Sequence, residues 1–136
     1  MAGYSQTPLW KKLGYKAGTR AFIADPPASY RKALALPADQ PVAWVTARAE
    51  APDFVHAFFT RGAELKRHLA RYRWWIVPHG TIWISWPKKR AGVATDITED
   101  TVREHALPLG LVDIKVCAVD DTWSGLKLVI RKELRK

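Results

Sequence analysis

Lys88 and Lys89 directly follow an apolar run that ends Ile84-Ser85-Trp86-Pro87. Paired ammonium groups just beyond a strand can hold a phosphate or a carboxylate, and a neighbouring indole can stack on a ring. Asp25, Asp96 and Trp123 sit at comparable punctuation points in the chain. These six residues form the candidate ligand-binding set, with Thr60 and Asp120 beside them. The competing reading is a solvated basic loop with Trp86 packed into the core.

Other chemistry is poorly supplied. His56 falls among aromatics within one apolar run and reads as a hydrogen-bonded core histidine. His68, His79 and His105 show no metal-ligand spacing with one another or with Cys117, so no metal site is expected. Ser85 lacks the flanking glycines of a nucleophile elbow. Asp120, Asp121 and Ser124 are explained by turn chemistry. No catalytic residue is assigned.

The turn after the first apolar run reads Asp25-Pro26-Pro27-Ala28-Ser29 and holds no glycine. A phosphate or adenosyl group approaches such a turn only where no side chain blocks the backbone. The two prolines also delete two N–H donors that an anion would use. Glu50 is the one candidate acid for ribose hydroxyls after the second strand, and it sits several residues late. No cofactor is therefore expected.

The formal net charge is +9 over 136 residues, unevenly distributed. Residues 61–90 carry eight basic groups against Glu64 alone, whereas residues 96–121 carry seven acids. A basic surface beside an acidic patch favours an anionic small molecule, an acidic protein surface, or a second copy of the chain. Arg67, Arg71, Arg73 and Arg90 are the candidate basic surface. Arg71-Tyr72-Arg73-Trp74-Trp75 has the interleaving that single-stranded nucleic acid uses. On a helix, however, Tyr72 and Trp75 turn inward and only Trp74 stays outside, so nucleic acid is the less favoured partner. Cys117 is the sole cysteine, in an apolar setting, which fits an inert thiol and a reducing compartment. The first residues lack the pattern of a secretory signal, and no apolar run approaches the roughly 18 residues of a membrane span. A cytoplasmic protein without a membrane partner is expected.

Residues 1–136 are read as a single domain with a short helix over 7–14 and a basic C-terminal tail. Thr7 caps that helix, Pro8 takes its first position and Gly14 ends it. Strands are predicted over 20–24, 42–47, 53–60, 81–86, 111–119 and 123–132, with helices over 28–36, from Thr60 onward, and from 96 or 98 to 105. Residues 53–60 are almost wholly apolar, as in a strand buried on both faces of a parallel sheet. Leu65, Leu69, Tyr72 and Ile76 recur at helical spacing. The three-residue link Asp120-Asp121-Thr122 requires an antiparallel hairpin. The outcome is a three-layer α/β domain, a mostly parallel sheet of about six strands with a C-terminal antiparallel hairpin.

That ending resembles the class I methyltransferase variant of the Rossmann-like fold, shortened by one helix in its first half. Three stretches also carry a resemblance to the small bacterial family known as domain of unknown function 3052. They are Ile84-Ser85-Trp86-Pro87-Lys88-Lys89, Thr95-Asp96-Ile97-Thr98-Glu99-Asp100, and the run from Gly110 to Arg131. The resemblance implies a bacterial, cytoplasmic, standalone domain and assigns no activity. The expected function is non-catalytic binding at the strand-end rim. The alternatives are a reduced methyltransferase using adenosyl-methionine, and a basic nucleic-acid-associated protein.

Overall fold

A computed structural model describes residues 7–135. The expected domain begins at Met1 and its basic tail ends at Lys136; residues 1–6 and 136 lie outside the described residues. The elements in chain order are α1 (Leu9–Leu13), β1 (Arg20–Ala24), α2 (Tyr30–Leu34), β2 (Ala43–Trp44), β3 (Phe54–Phe58) and α3 (Gly62–Trp75). Then follow β4 (Thr81–Pro87), α4 (Glu99–Ala106), β5 (Leu111–Ala118) and β6 (Trp123–Ile130).

The six strands form one sheet in the order β2-β1-β3-β4-β6-β5. The first four are parallel, and β6 runs antiparallel to both β4 and β5. Every residue of β3 is buried, as its unbroken apolar run demands of a central strand. Alternation then sorts the side chains between two cores. Val55, Ala57, Ile82, Ile84, Leu126 and Leu128 face the α3 and α4 side, meeting Leu65, Leu69, Tyr72 and Val102. Phe54, Phe58 and Trp83 face the other side, meeting Leu13, Tyr30 and Leu34.

Several boundaries differ from expectation. Pro8 stands outside α1 with ψ 150°, and its carbonyl accepts from the N–H groups of Lys11 and Lys12, so Pro8 rather than Thr7 flanks the helix. The helix after the double proline is one short turn, closed by Ala35 in the left-handed region at φ 54°. The second strand shrinks to two residues. The Glu50 carboxylate accepts from the amide N–H groups of Thr46 and Ala47 at 2.9 and 3.1 Å, folding that stretch into a turn instead. Arg20, at the start of β1, donates through Nε to the Glu50 carbonyl at 2.9 Å. Only a 3-10 turn, Arg48–Glu50, therefore lies between β2 and β3, where a crossover helix would ordinarily run. This is the shortening expected in the first half.

The strand order reverses between β1 and β3. From β1 the chain moves outward to β2 on one side, and from β3 it moves to β4 on the other. In open α/β sheets, ligands sit beyond the strand ends at such a switch point.

Candidate binding site at the C-terminal rim of the sheet

The ends of β1 and β3 supply Asp25 and the run Phe59-Thr60-Arg61. Asp25 is exposed and takes the left-handed backbone conformation, φ 53°, that a glycine would fill without strain. Two adjoining hollows open there, of about 300 and about 370 Å³, sharing Asp25, Phe59 and His68. Phe58, Thr60, Arg61 and Glu64 complete the first; Phe22, Arg71, Tyr72 and Trp75 belong to the second.

Helix α3 forms the wall. His68 lies nearly parallel to Phe59 and Tyr72, with ring centroids 5.8 and 6.1 Å away. Its Nε2 is 3.4 Å from Glu64, whose carboxyl is held below its ordinary range mainly by the hydrogen bond from Arg67. The Tyr72 phenol is pushed up to about 12 by burial, with the negative charge of Asp25 adding to it. The crevice thus offers an aromatic wall, an acceptor in Asp25 and the cations Arg61 and Arg71. It holds no nucleophile paired with a base. Among the described residues no group of three or more His, Cys, Asp or Glu could hold a metal ion.

The six expected residues all lie at this end of the sheet, but they do not form one cluster. Asp25 alone lines the switch-point crevice. Trp86 is 7% exposed and belongs to the α3/α4 core, so the expectation that it stacks on a ligand is corrected: the indole is spent on packing. Lys88 donates from Nζ to the Asp120 carbonyl at 2.6 Å, pinning the loop after β4 to the β5–β6 link. Lys89 stays exposed in a 3-10 turn. Asp96 accepts from the Gly62 N–H at 2.7 Å and so caps α3. Thr60 accepts at its carbonyl from the Thr95 hydroxyl. Trp123 is half-buried, edge-on to Phe58 at 5.2 Å.

The basic surface divides similarly. Arg67 pairs with Glu64 at 2.5 Å. Arg73 donates to the Leu109 carbonyl at 2.7 Å and lies 4.4 Å above the Trp74 ring, covering one face of that 66% exposed indole. Arg71 and Arg90 remain exposed. Arg61, Glu64, His68, Tyr72 and Trp75 were absent from the expected ligand set. The signal that could have found them is the switch-point rule applied to β1 and β3, because α3 begins where β3 ends.

The resemblance to class I methyltransferases makes adenosyl-methionine a ligand to test against the site, and the residues present do not fit it. Pro26 and Pro27 carry no N–H donors where the turn should cradle the ligand. β2 stops at Trp44, paired only with Ala21, so no strand end stands beside Asp25 to present an acid to ribose. Glu50 is committed to its own turn near Arg20, at the opposite end of the sheet.

No family model and no curated protein matches the chain. Solved structures do. A SAM-dependent methyltransferase from Aquifex aeolicus superposes with a TM-score of 0.61 at 13% identity, over 88% of this chain and 87% of that one. A TehB-like SAM-dependent methyltransferase from Corynebacterium glutamicum gives 0.53 at 12% identity, over 96% and 91%. Magnesium protoporphyrin IX methyltransferase from Synechocystis PCC 6803 with bound SAM gives 0.54 at 12%, over 90% and 74%. This chain therefore has the Rossmann-like α/β fold of SAM-dependent methyltransferases, at identities that carry the architecture and leave the chemistry to the site.

Proposed function

We propose that the chain is a binding domain whose ligand is a small anion carrying a planar ring, held in the crevice between the ends of β1 and β3. One observation carries this reading: two adjoining hollows share Asp25, Phe59 and His68 where the strand order reverses. Arg61 and Arg71 attract the anion, the partly exposed His68 imidazole, backed by the buried Phe59 and Tyr72 rings, takes the ring, and Asp25 accepts from a hydroxyl. Lys89 and Arg90 lend the rim further positive charge. Membership of domain of unknown function 3052 and a cytoplasmic location belong to the same proposal, resting on the quoted motifs and the single cysteine.

The second reading is methyl transfer from adenosyl-methionine, and the structural neighbours favour it. The proline turn and the shortened β2 weigh against it. Calorimetry of the purified chain with adenosyl-methionine, nucleotides and sugar phosphates separates the two. Saturable binding of a nucleotide, lost in Arg61→Ala with Arg71→Ala, supports the binding domain. Tight binding of adenosyl-methionine with methylation of any acceptor replaces it with the enzyme. Absence of binding throughout overturns both.

A further inference from the structure

A third cavity, of about 390 Å³, opens at the opposite end of the sheet, where β1, β3 and β4 begin. Lys16, Thr19, Asp53, His79, Thr81 and Lys127 line it, with Gly14 at its edge. Lys127 projects from β6 directly across from Lys115 on β5. The three neighbouring lysines are used differently. Lys12 donates to the Ala118 carbonyl at 3.2 Å and Lys115 to the Lys12 carbonyl at 3.1 Å. The half-buried Lys127 ammonium has no acceptor among the described residues. Burial and then Lys115 both depress its proton affinity.

A half-buried cation that faces a like charge and pairs with no carboxylate is costly, and a guest anion would neutralise it. The cavity's remaining groups suit a particular guest. Lys16 brings a second ammonium, and the Thr81 hydroxyl can donate to an oxyanion, whereas the buried Thr19 hydroxyl already accepts from the Lys16 N–H at 3.0 Å. Asp53 is the opposing charge. Its Oδ1 accepts from the Arg20 N–H at 2.9 Å, leaving the other oxygen for a donor such as a ligand hydroxyl. His79 sits at the rim as a further donor. Arg20's guanidinium is turned away, onto the Glu50 carbonyl.

We infer that this cavity is a binding site for a small hydroxylated phosphate ester, its phosphate on Lys127 and Lys16 and a hydroxyl on Asp53. The site is independent of the switch-point crevice, from which the sheet separates it.

Calorimetry of the full chain at fixed ionic strength, with glucose 6-phosphate, glucose, inorganic phosphate and sulfate as probes, tests this. Glucose 6-phosphate should bind saturably and more tightly than inorganic phosphate or sulfate, while glucose should not bind. Lys127→Met keeps the apolar stem and should weaken binding about tenfold. Lys16→Met should weaken it in the same direction, Lys115→Met should leave it within about twofold, and Arg61→Ala should leave it unchanged. Lys127→Met should also be at least as stable as the parent chain, because it removes an unpaired charge. The inference fails if glucose 6-phosphate shows no saturable binding, if sulfate binds as well, or if Lys127→Met and Lys16→Met both bind like the parent.

Discussion

The Tyr30 hydroxyl stands 2.8 Å from Nδ1 of His56, deep under α2. The contact is the middle of a chain. Tyr15 Oη lies 2.8 Å from Tyr30 Oη, and His56 Nε2 lies 2.7 Å from Ser85 Oγ. It ties the loop after α1, helix α2, β3 and β4 through polar atoms that are all buried and all partnered. A serine and a histidine at this distance could suggest a nucleophile and its base. Both residues are fully buried, so the pair is closed to any substrate and works as a bracket between layers.

Burial keeps His56 neutral and depresses its pKa from 6.5 to about 3. Below 6.5 the unfolded chain takes up a proton that the folded chain refuses. Stability from this group is therefore complete above 6.5 and lost progressively as the pH falls toward 3. The full loss is on the order of 5 kcal/mol. Urea denaturation of the parent chain and of His56→Phe, at intervals from about pH 7.5 to about pH 5, should show a steeper decline for the parent. Parallel profiles would mean that His56 is protonated in the folded state.

Tyr30→Phe removes the central hydroxyl and leaves Tyr15 Oη and His56 Nδ1 without that partner. Stranding buried polar groups costs about 1–3 kcal/mol each. Tyr15→Phe trims only the end of the chain, because Tyr30 retains His56. Chemical denaturation should rank Tyr30→Phe well below Tyr15→Phe, and equal losses would show that the hydroxyls act independently.

The parallel sheet, its closing hairpin and the buried stripe of α3 were legible because each rests on a local pattern. The apolar run 53–60, the helical spacing from Leu65 to Ile76 and the short link at Asp120 are examples. His56 was legible as a core residue for the same reason, since its neighbours are all apolar. The site was less legible because its residues are allocated by long-range contacts. Nothing local says that Lys88 spends its ammonium on the Asp120 carbonyl, or that Asp96 caps a helix 34 positions earlier. The second strand was overread at Val45-Thr46-Ala47, where β-branched residues favour strand but the Glu50 carboxylate captures the amides. The crevice was missed because it needs strand order, which arises only once β1 lies between β2 and β3.

Asp96 offers a direct contrast between a capping and a ligand-binding role. Asp96→Ala should lower stability by about 1 kcal/mol through loss of the acceptor for the Gly62 N–H, while Asp96→Asn should retain most of it. Denaturation of the two variants reads the difference. Equal stability of Asp96→Ala and the parent would return Asp96 to the pool of ligand-binding candidates.

Gly80 and Gly18 separate packing from backbone strain. A methyl group at Gly80 would collide with Ile76 Cγ1, come within 2.7 Å of its Cδ1 and 3.0 Å of the Asp53 carbonyl oxygen. The contact closes the end of α3 onto the start of β4, so overpacking there should cost about 1–3 kcal/mol. Gly18 has φ +88° and nothing within 4 Å of the added carbon, so Gly18→Ala carries only the left-handed backbone cost of about 1 kcal/mol. The two respond differently to a second change. Ile76→Ala empties the space that Gly80→Ala invades, and the double variant should be more stable than the sum of the two single losses. Ile76→Ala with Gly18→Ala should be additive, because the two sites share no contact. Additive losses in both cycles would show that the Gly80 methyl is accommodated by movement of the turn, with Ile76 left in place.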